Sequence, residues 1–132
     1  GQLLIEGTDA IIFAMGHMVD VSLDAAKNLM KNGIKVAVGN IHSLKPLDTD
    51  FILENSELAS VVVTAENHSI IGGLGSAVAE TLLEGGVSRK FKRIGIEDTF
   101  AEGGSTQFLF DKYGLNSSHI QNTIKRLLAN DR

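Results

Sequence analysis

The chain has 132 residues, of which 43% are hydrophobic and 21% charged, and its net charge is −4. That length suits one domain with a proper hydrophobic core, spanning residues 1–132, and the apolar share excludes a disordered chain. The absence of cysteine excludes disulfide scaffolds, Cys-ligated zinc, iron–sulfur clusters and thiol catalysis together, and the acidic balance gives no reason to expect a nucleic-acid partner.

Leu3–Ile5 reads as a short edge strand. Asp9–Met15 (DAIIFAM) is a short continuous apolar run, as expected of a strand covered on both faces. Val19, Leu23, Ala26 and Met30 then recur at helical spacing, and Gly33 stops that helix. Ile34–Val38 (IKVAV) is a second strand. A short helix over Leu47–Asn55 follows Pro46, with Asp48 as its N-cap. Ser60–Ala65 (SVVVTA) is the clearest strand, rich in β-branched residues. Leu74, Val78 and Leu82 stripe a helix that opens at Gly72–Gly73 and closes at Gly85–Gly86. Phe91–Ile96 (FKRIGI) is another strand. The basic run Arg89, Lys90, Lys92, Arg93 beside it reads as solvated charge. Ser105 caps a helix ending at Gly114. Asn116 or Ser117 starts the last helix, with Ile120, Ile124, Leu127 and Leu128 on one face.

Strands separated by helices of these lengths predict βαβ units: an α/β fold, with a largely parallel sheet between two helical layers. No apolar run approaches the roughly 20 residues a membrane span requires, and GQLLIEG lacks the features of a signal peptide. A soluble, cytoplasmic protein without a membrane partner is expected.

Ligands of open α/β sheets favour the crevice beyond the strand C-termini. Three loops here leave such ends: Gly16–His17, Asn40–Pro46 and Glu66–Gly73 (ENHSIIGG). The third combines a carboxylate, an amide, an imidazole and a double glycine before a helix N-terminus. Free N–H groups and the helix dipole there would suit an anion. His17, Glu66, His68, Gly72, Gly73 and Gly75 are therefore the candidate ligand loop. Gly73–Val78 (GLGSAV) matches a dinucleotide fingerprint only in part, because Val78 replaces its last glycine and the motif does not follow the first strand. The alternative is that these glycines serve a tight turn and close helix–sheet contact. His17 and His68 suit acid–base or phosphate-donor roles, or are loop residues bonded to backbone. His42 and His119 are less distinctive, and His119 is expected to be solvated. No histidines stand at i, i+4, no hydrolase elbow or P-loop occurs, and Glu97, Asp98 and Glu102 read as solvated acids.

Three blocks, in order, carry a resemblance over nearly the whole chain. TAENHSIIGGLGSAVAETL (Thr64–Leu82) resembles the C-terminal domain of the transketolase family of thiamine-diphosphate enzymes. DAIIFAMGHMVDVSLDAAKNLMKNGIKVAVGNIHSLKPLD is similar to that family's opening strand–helix–strand, ending in Lys45–Asp48. RIGIEDTFAEGGSTQFLFDKYGL (Arg93–Leu115) is similar to the segment that follows in transketolases and 1-deoxyxylulose-5-phosphate synthases. Glu66–Ser76 looks most like the split transketolases, whose activity is divided between two subunits. Deoxyxylulose-phosphate synthases and the E1 β subunits of 2-oxoacid dehydrogenases share the domain, usually with other residues at Asn67–His68.

The resemblance implies a three-layer fold with a mixed five-stranded sheet, four parallel strands plus a short antiparallel N-terminal strand. It implies a parent enzyme, a homodimer, that moves a two-carbon ketol unit between ketose and aldose phosphates. Thiamine diphosphate supplies the covalent chemistry there and Mg holds its diphosphate. Both are bound by diphosphate-binding and pyrimidine-binding domains or a partner subunit. No catalytic, cofactor-binding or metal residue carries over to this chain, so the resemblance implies a structural, dimer-supporting part that binds no cofactor itself. A phosphate- or nucleotide-binding regulatory module built on Gly72–Gly75 is the alternative from another class.

Overall fold

β2 (Ala10–Ala14) has no polar residue, and each of its side chains is at most 1% exposed. Such a strand needs cover on both faces and neighbours on both edges. The computed structural model, which describes residues 1–96 and 115–130, supplies both. β2 lies mid-sheet, between β3 (Val36–Asn40) and β4 (Val61–Ser69), parallel to each. β5 (Lys90–Ile96) pairs in parallel with the far edge of β4. β1 (Gln2–Ile5) pairs with β3 antiparallel, so the order is β1-β3-β2-β4-β5. The expected mixed sheet of five strands is the one observed.

The period-two alternation of strand side chains divides the core. Ala10, Ile12 and Ala14 of β2, with Val61, Val63 and Ala65 of β4, pack with α1 (Met18–Met30) and α4 (Ser117–Ala129). Ile11, Phe13 and Val62 face the other way, toward α2 (Thr49–Glu57) and α3 (Leu74–Glu84). Phe51 of α2 meets Phe13 edge-on at 6.1 Å between ring centres.

The caps follow the sequence signals. Asp48 accepts the Phe51 N–H at 3.2 Å, and Asn116 accepts the His119 N–H at 2.9 Å. β3 starts two residues later than expected. Asp9 Oδ2 accepts the Lys35 N–H at 2.7 Å, and the Ile34 N–H is turned back to the Leu29 carbonyl at 3.1 Å. Both groups are thereby withdrawn from the ladder. The expected helix from Ser105 to Gly114 and the acids Glu97, Asp98 and Glu102 lie outside the described residues. Among the described residues no helix is long and apolar enough to cross a membrane.

Arg89, Lys92 and Arg93 of the basic run are exposed, as expected, while Lys90 is half-buried. Arg89 Nε donates to the Ala59 carbonyl at 2.8 Å and Nη2 to the Glu57 carbonyl at 3.1 Å, closing the C-terminal end of α2. Lys90 Nζ reaches the Leu127 carbonyl in the last turn of α4 at 3.4 Å. Cations suit helix C-termini because the last carbonyls lack partners and carry negative dipole.

Candidate functional site

α1 packs on one face of the sheet and α2 on the other, so the chain reverses direction across the sheet at β2. The crevice of such a fold lies beyond the C-terminal ends of β2 and β4. Gly16 follows β2 there, and a Cβ on it would lie 3.8 Å from Asn67 Oδ1 of β4. The Met15 N–H donates to the Ala65 carbonyl at 3.2 Å. The two predicted loops are thus neighbours.

ENHS is not loop, as expected, but the end of a strand. β4 runs through Ser69, and the Ile70 N–H still reaches the Ile96 carbonyl at 2.9 Å. The ladder with β5 shifts register between Ala65 and Ser69, which carries the strand past the point where its apolar pattern stops. His68 is a strand residue; its side chain lies outside the described part of the structure.

Alternation from Val62 through Thr64 sets Glu66 on the α3 face. Its side chain is 1% exposed. Oε1 accepts the Leu74 N–H and Oε2 the Gly75 N–H, both at 2.8 Å. These donors belong to the first turn of α3, whose N–H groups have no partner within the helix. Charge-assisted bonds in a buried setting are the strong kind, and a carboxylate also suits the positive end of the dipole. The anion expected at this helix terminus is therefore supplied by the chain itself.

Two glycines have distinct geometric duties. Gly72 has φ +71°, a left-handed turn residue. Gly73, the N-cap, has φ −97° and needs no such freedom. Gly75 is needed for close approach: a Cβ there would lie 2.6 Å from Arg93 Cγ and Cδ and 2.9 Å from Thr64 Oγ1. Arg93 lies across the start of α3. Its Nη1 donates to the Ile70 carbonyl at 3.2 Å and to Ser76 Oγ at 3.3 Å, while Ser76 Oγ donates to the same carbonyl at 3.1 Å. Sequence reading missed Arg93 and Thr64. Their signal was the period-two count along β4 and β5, which sets both beneath α3.

His17 and His42 line two separate clefts, and Glu66 lines neither. His17 lines a cleft of about 300 Å³ with Asp20, Asp24 and Asn116. His42 lines another, of about 440 Å³, with Met15, Gly16 and Asn40. His119, expected to be solvated, is half-buried. Burial lowers its pKa, and the charges of Arg126 and Lys92 lower it further.

A diphosphate brought to α3 would meet the Glu66 carboxylate, not open N–H groups. Among the described residues no three His, Asp or Glu side chains converge as metal ligands. The N-terminus of α3 therefore does not fit a cradle for the diphosphate of thiamine diphosphate.

Residues 1–120 match the family described as transketolase, C-terminal domain. The chain is 45% identical over 124 residues to a 1-deoxy-D-xylulose-5-phosphate synthase of Caldanaerobacter subterraneus subsp. tengcongensis, covering 94% of this chain and 20% of that protein. It is 45% identical over 119 residues to a 6-deoxy-6-sulfo-D-fructose transketolase subunit of a Clostridium species, covering 90% and 37%. A solved split-gene transketolase, an inactive β4 tetramer, superposes with a TM-score of 0.90 at 42% identity, over 99% of this chain and 43% of that one. The chain thus spans between a fifth and somewhat over two fifths of these relatives.

Proposed function

The chain belongs to the transketolase family as its C-terminal domain, and from that premise we propose that it is the C-terminal part of a split-type transketolase. The parent enzyme would move a two-carbon ketol unit from a ketose phosphate to an aldose phosphate, with thiamine diphosphate and Mg bound by its other domains or subunit. One observation carries this reading: the 0.90 superposition and 42% identity with a split-gene transketolase over 99% of the chain. The filled N-terminus of α3 supports a structural role for the domain, since Glu66 occupies the place a phosphate would take. Support for a ligand-binding Gly72–Gly75 loop is correspondingly reduced. The domain would buttress its subunit and contribute to a homodimer in the cytoplasm.

A second reading, a deoxyxylulose-phosphate synthase, is favoured by an equal identity of 45%. Assay of the parent enzyme separates the two. Ketol transfer between sugar phosphates supports the first, and formation of 1-deoxyxylulose 5-phosphate supports the second. Calorimetry of the 132-residue chain with thiamine diphosphate and Mg²⁺ should register no binding heat. A saturable micromolar signal would overturn the structural role.

A further inference from the structure

β5 and α4 lie side by side and share one charge sign. Three of the chain's twelve Lys and Arg residues are on β5 and two on α4, and neither element has any of its sixteen Asp and Glu residues. In a chain of net charge −4, these two elements thus carry five cations and no carboxylate of their own.

Alternation along β5 sorts these cations. Arg93 turns to the α3 layer, as described, while Lys90 and Lys92 turn to α4. A cleft of about 230 Å³ opens there, lined by Lys92, Thr123, Arg126, Leu127 and Asn130. The positions on α4 are spaced to share one face. Lys92 and Arg126 are exposed. Among the described residues neither has a carboxylate within ion-pair distance. Arg126 Nη2 donates only to Thr123 Oγ1, at 3.4 Å, which leaves most of its fork of donors unused. His119 stands close enough to feel both cations. Two cations of different geometry, with an amide from Asn130 beside them, make a donor set suited to a tetrahedral oxyanion.

We propose that the cleft between β5 and α4 binds a phosphate group, clamped between Lys92 and Arg126. This assignment is independent of the reading above, because it uses neither the α3 terminus nor any thiamine chemistry. The shared chemistry is a phosphate dianion, free or carried as a monoester on a small polyol.

NMR titration of the 132-residue chain tests it, with inorganic phosphate in one arm and glycerol 3-phosphate in the other. Sodium chloride at matched ionic strength is the reference. Saturable shifts of the Lys92, Thr123 and Arg126 amides, with a rise in the His119 pKa, are expected in at least one arm. Saturation with inorganic phosphate alone identifies the free ion as ligand. Tighter saturation with the ester identifies the monoester. The variants Lys92→Ala and Arg126→Ala should each weaken binding about tenfold, the usual worth of a charge-assisted hydrogen bond. Arg126→Lys should retain part of it. Shifts that are linear, or equal to those in chloride, overturn the proposal. So does unchanged affinity in variants whose spectra show an intact fold.

Discussion

Glu66 and Leu74, eight residues apart in sequence, meet as a buried cap: the carboxylate of a strand accepts the first N–H of the helix that follows, at 2.8 Å. An N-cap residue ordinarily serves its own helix from the adjacent position. Here that position is Gly73, which has no side chain to offer. The strand below provides the acceptor instead and joins the sheet to the α3 layer.

Removing that acceptor should therefore be costly. Glu66→Ala leaves two buried N–H groups without partners, and we expect a loss of roughly 2–4 kcal/mol. Glu66→Gln keeps one acceptor oxygen and should cost less. Urea unfolding midpoints measure both; an unchanged midpoint for the alanine variant would show that α3 does not depend on this cap.

Gly75→Ala should destabilise by about 1–3 kcal/mol through overpacking. The added methyl meets the stem of Arg93, which can move, and the hydroxyl of Thr64, which is buried in a strand. Combining the change with Arg93→Ala should recover part of the loss. A double-mutant cycle reads this coupling, and strict additivity would place the obstruction elsewhere.

Arg89→Ala should lower stability by about 1–2 kcal/mol, since two carbonyls at the end of α2 lose their donor. Arg89→Lys should recover only part, because an ammonium lacks the planar fork that serves both carbonyls. Thermal melts of the three proteins check the order.

Acidification should weaken the fold through His119. Its folded pKa lies below the ordinary 6.5 because of burial, aided by Arg126 and Lys92. Between the lowered value and 6.5 the unfolded chain holds more protons, so stability rises with pH across that window and is lost as pH falls through it. Denaturant midpoints from pH 7.5 down to 5 should show a slope that His119→Asn reduces. An identical slope in the variant would assign the acid sensitivity to other groups.

The apolar and β-branched runs of β2 and β4, the caps Asp48 and Asn116 and the glycines around α3 were legible because each is a local signal. Period, propensity and capping depend on residues a few positions apart, and so does a family resemblance read block by block. The candidate ligand loop was legible only as a composition. Whether a helix terminus is open to a ligand depends on what faces it across the sheet, and no local rule states that.

The amino-acid sequence by itself determined the α/β class, the covered central strands and the family, because burial pattern and motif order reside in the chain. Only the tertiary structure decided what the charges do. It turned Glu66 under α3, brought Arg89 to the end of α2, and aligned Lys92 with Arg126. Strand alternation assigns a residue to a face, but the helix packed on that face decides whether its charge meets a dipole, a carbonyl or solvent.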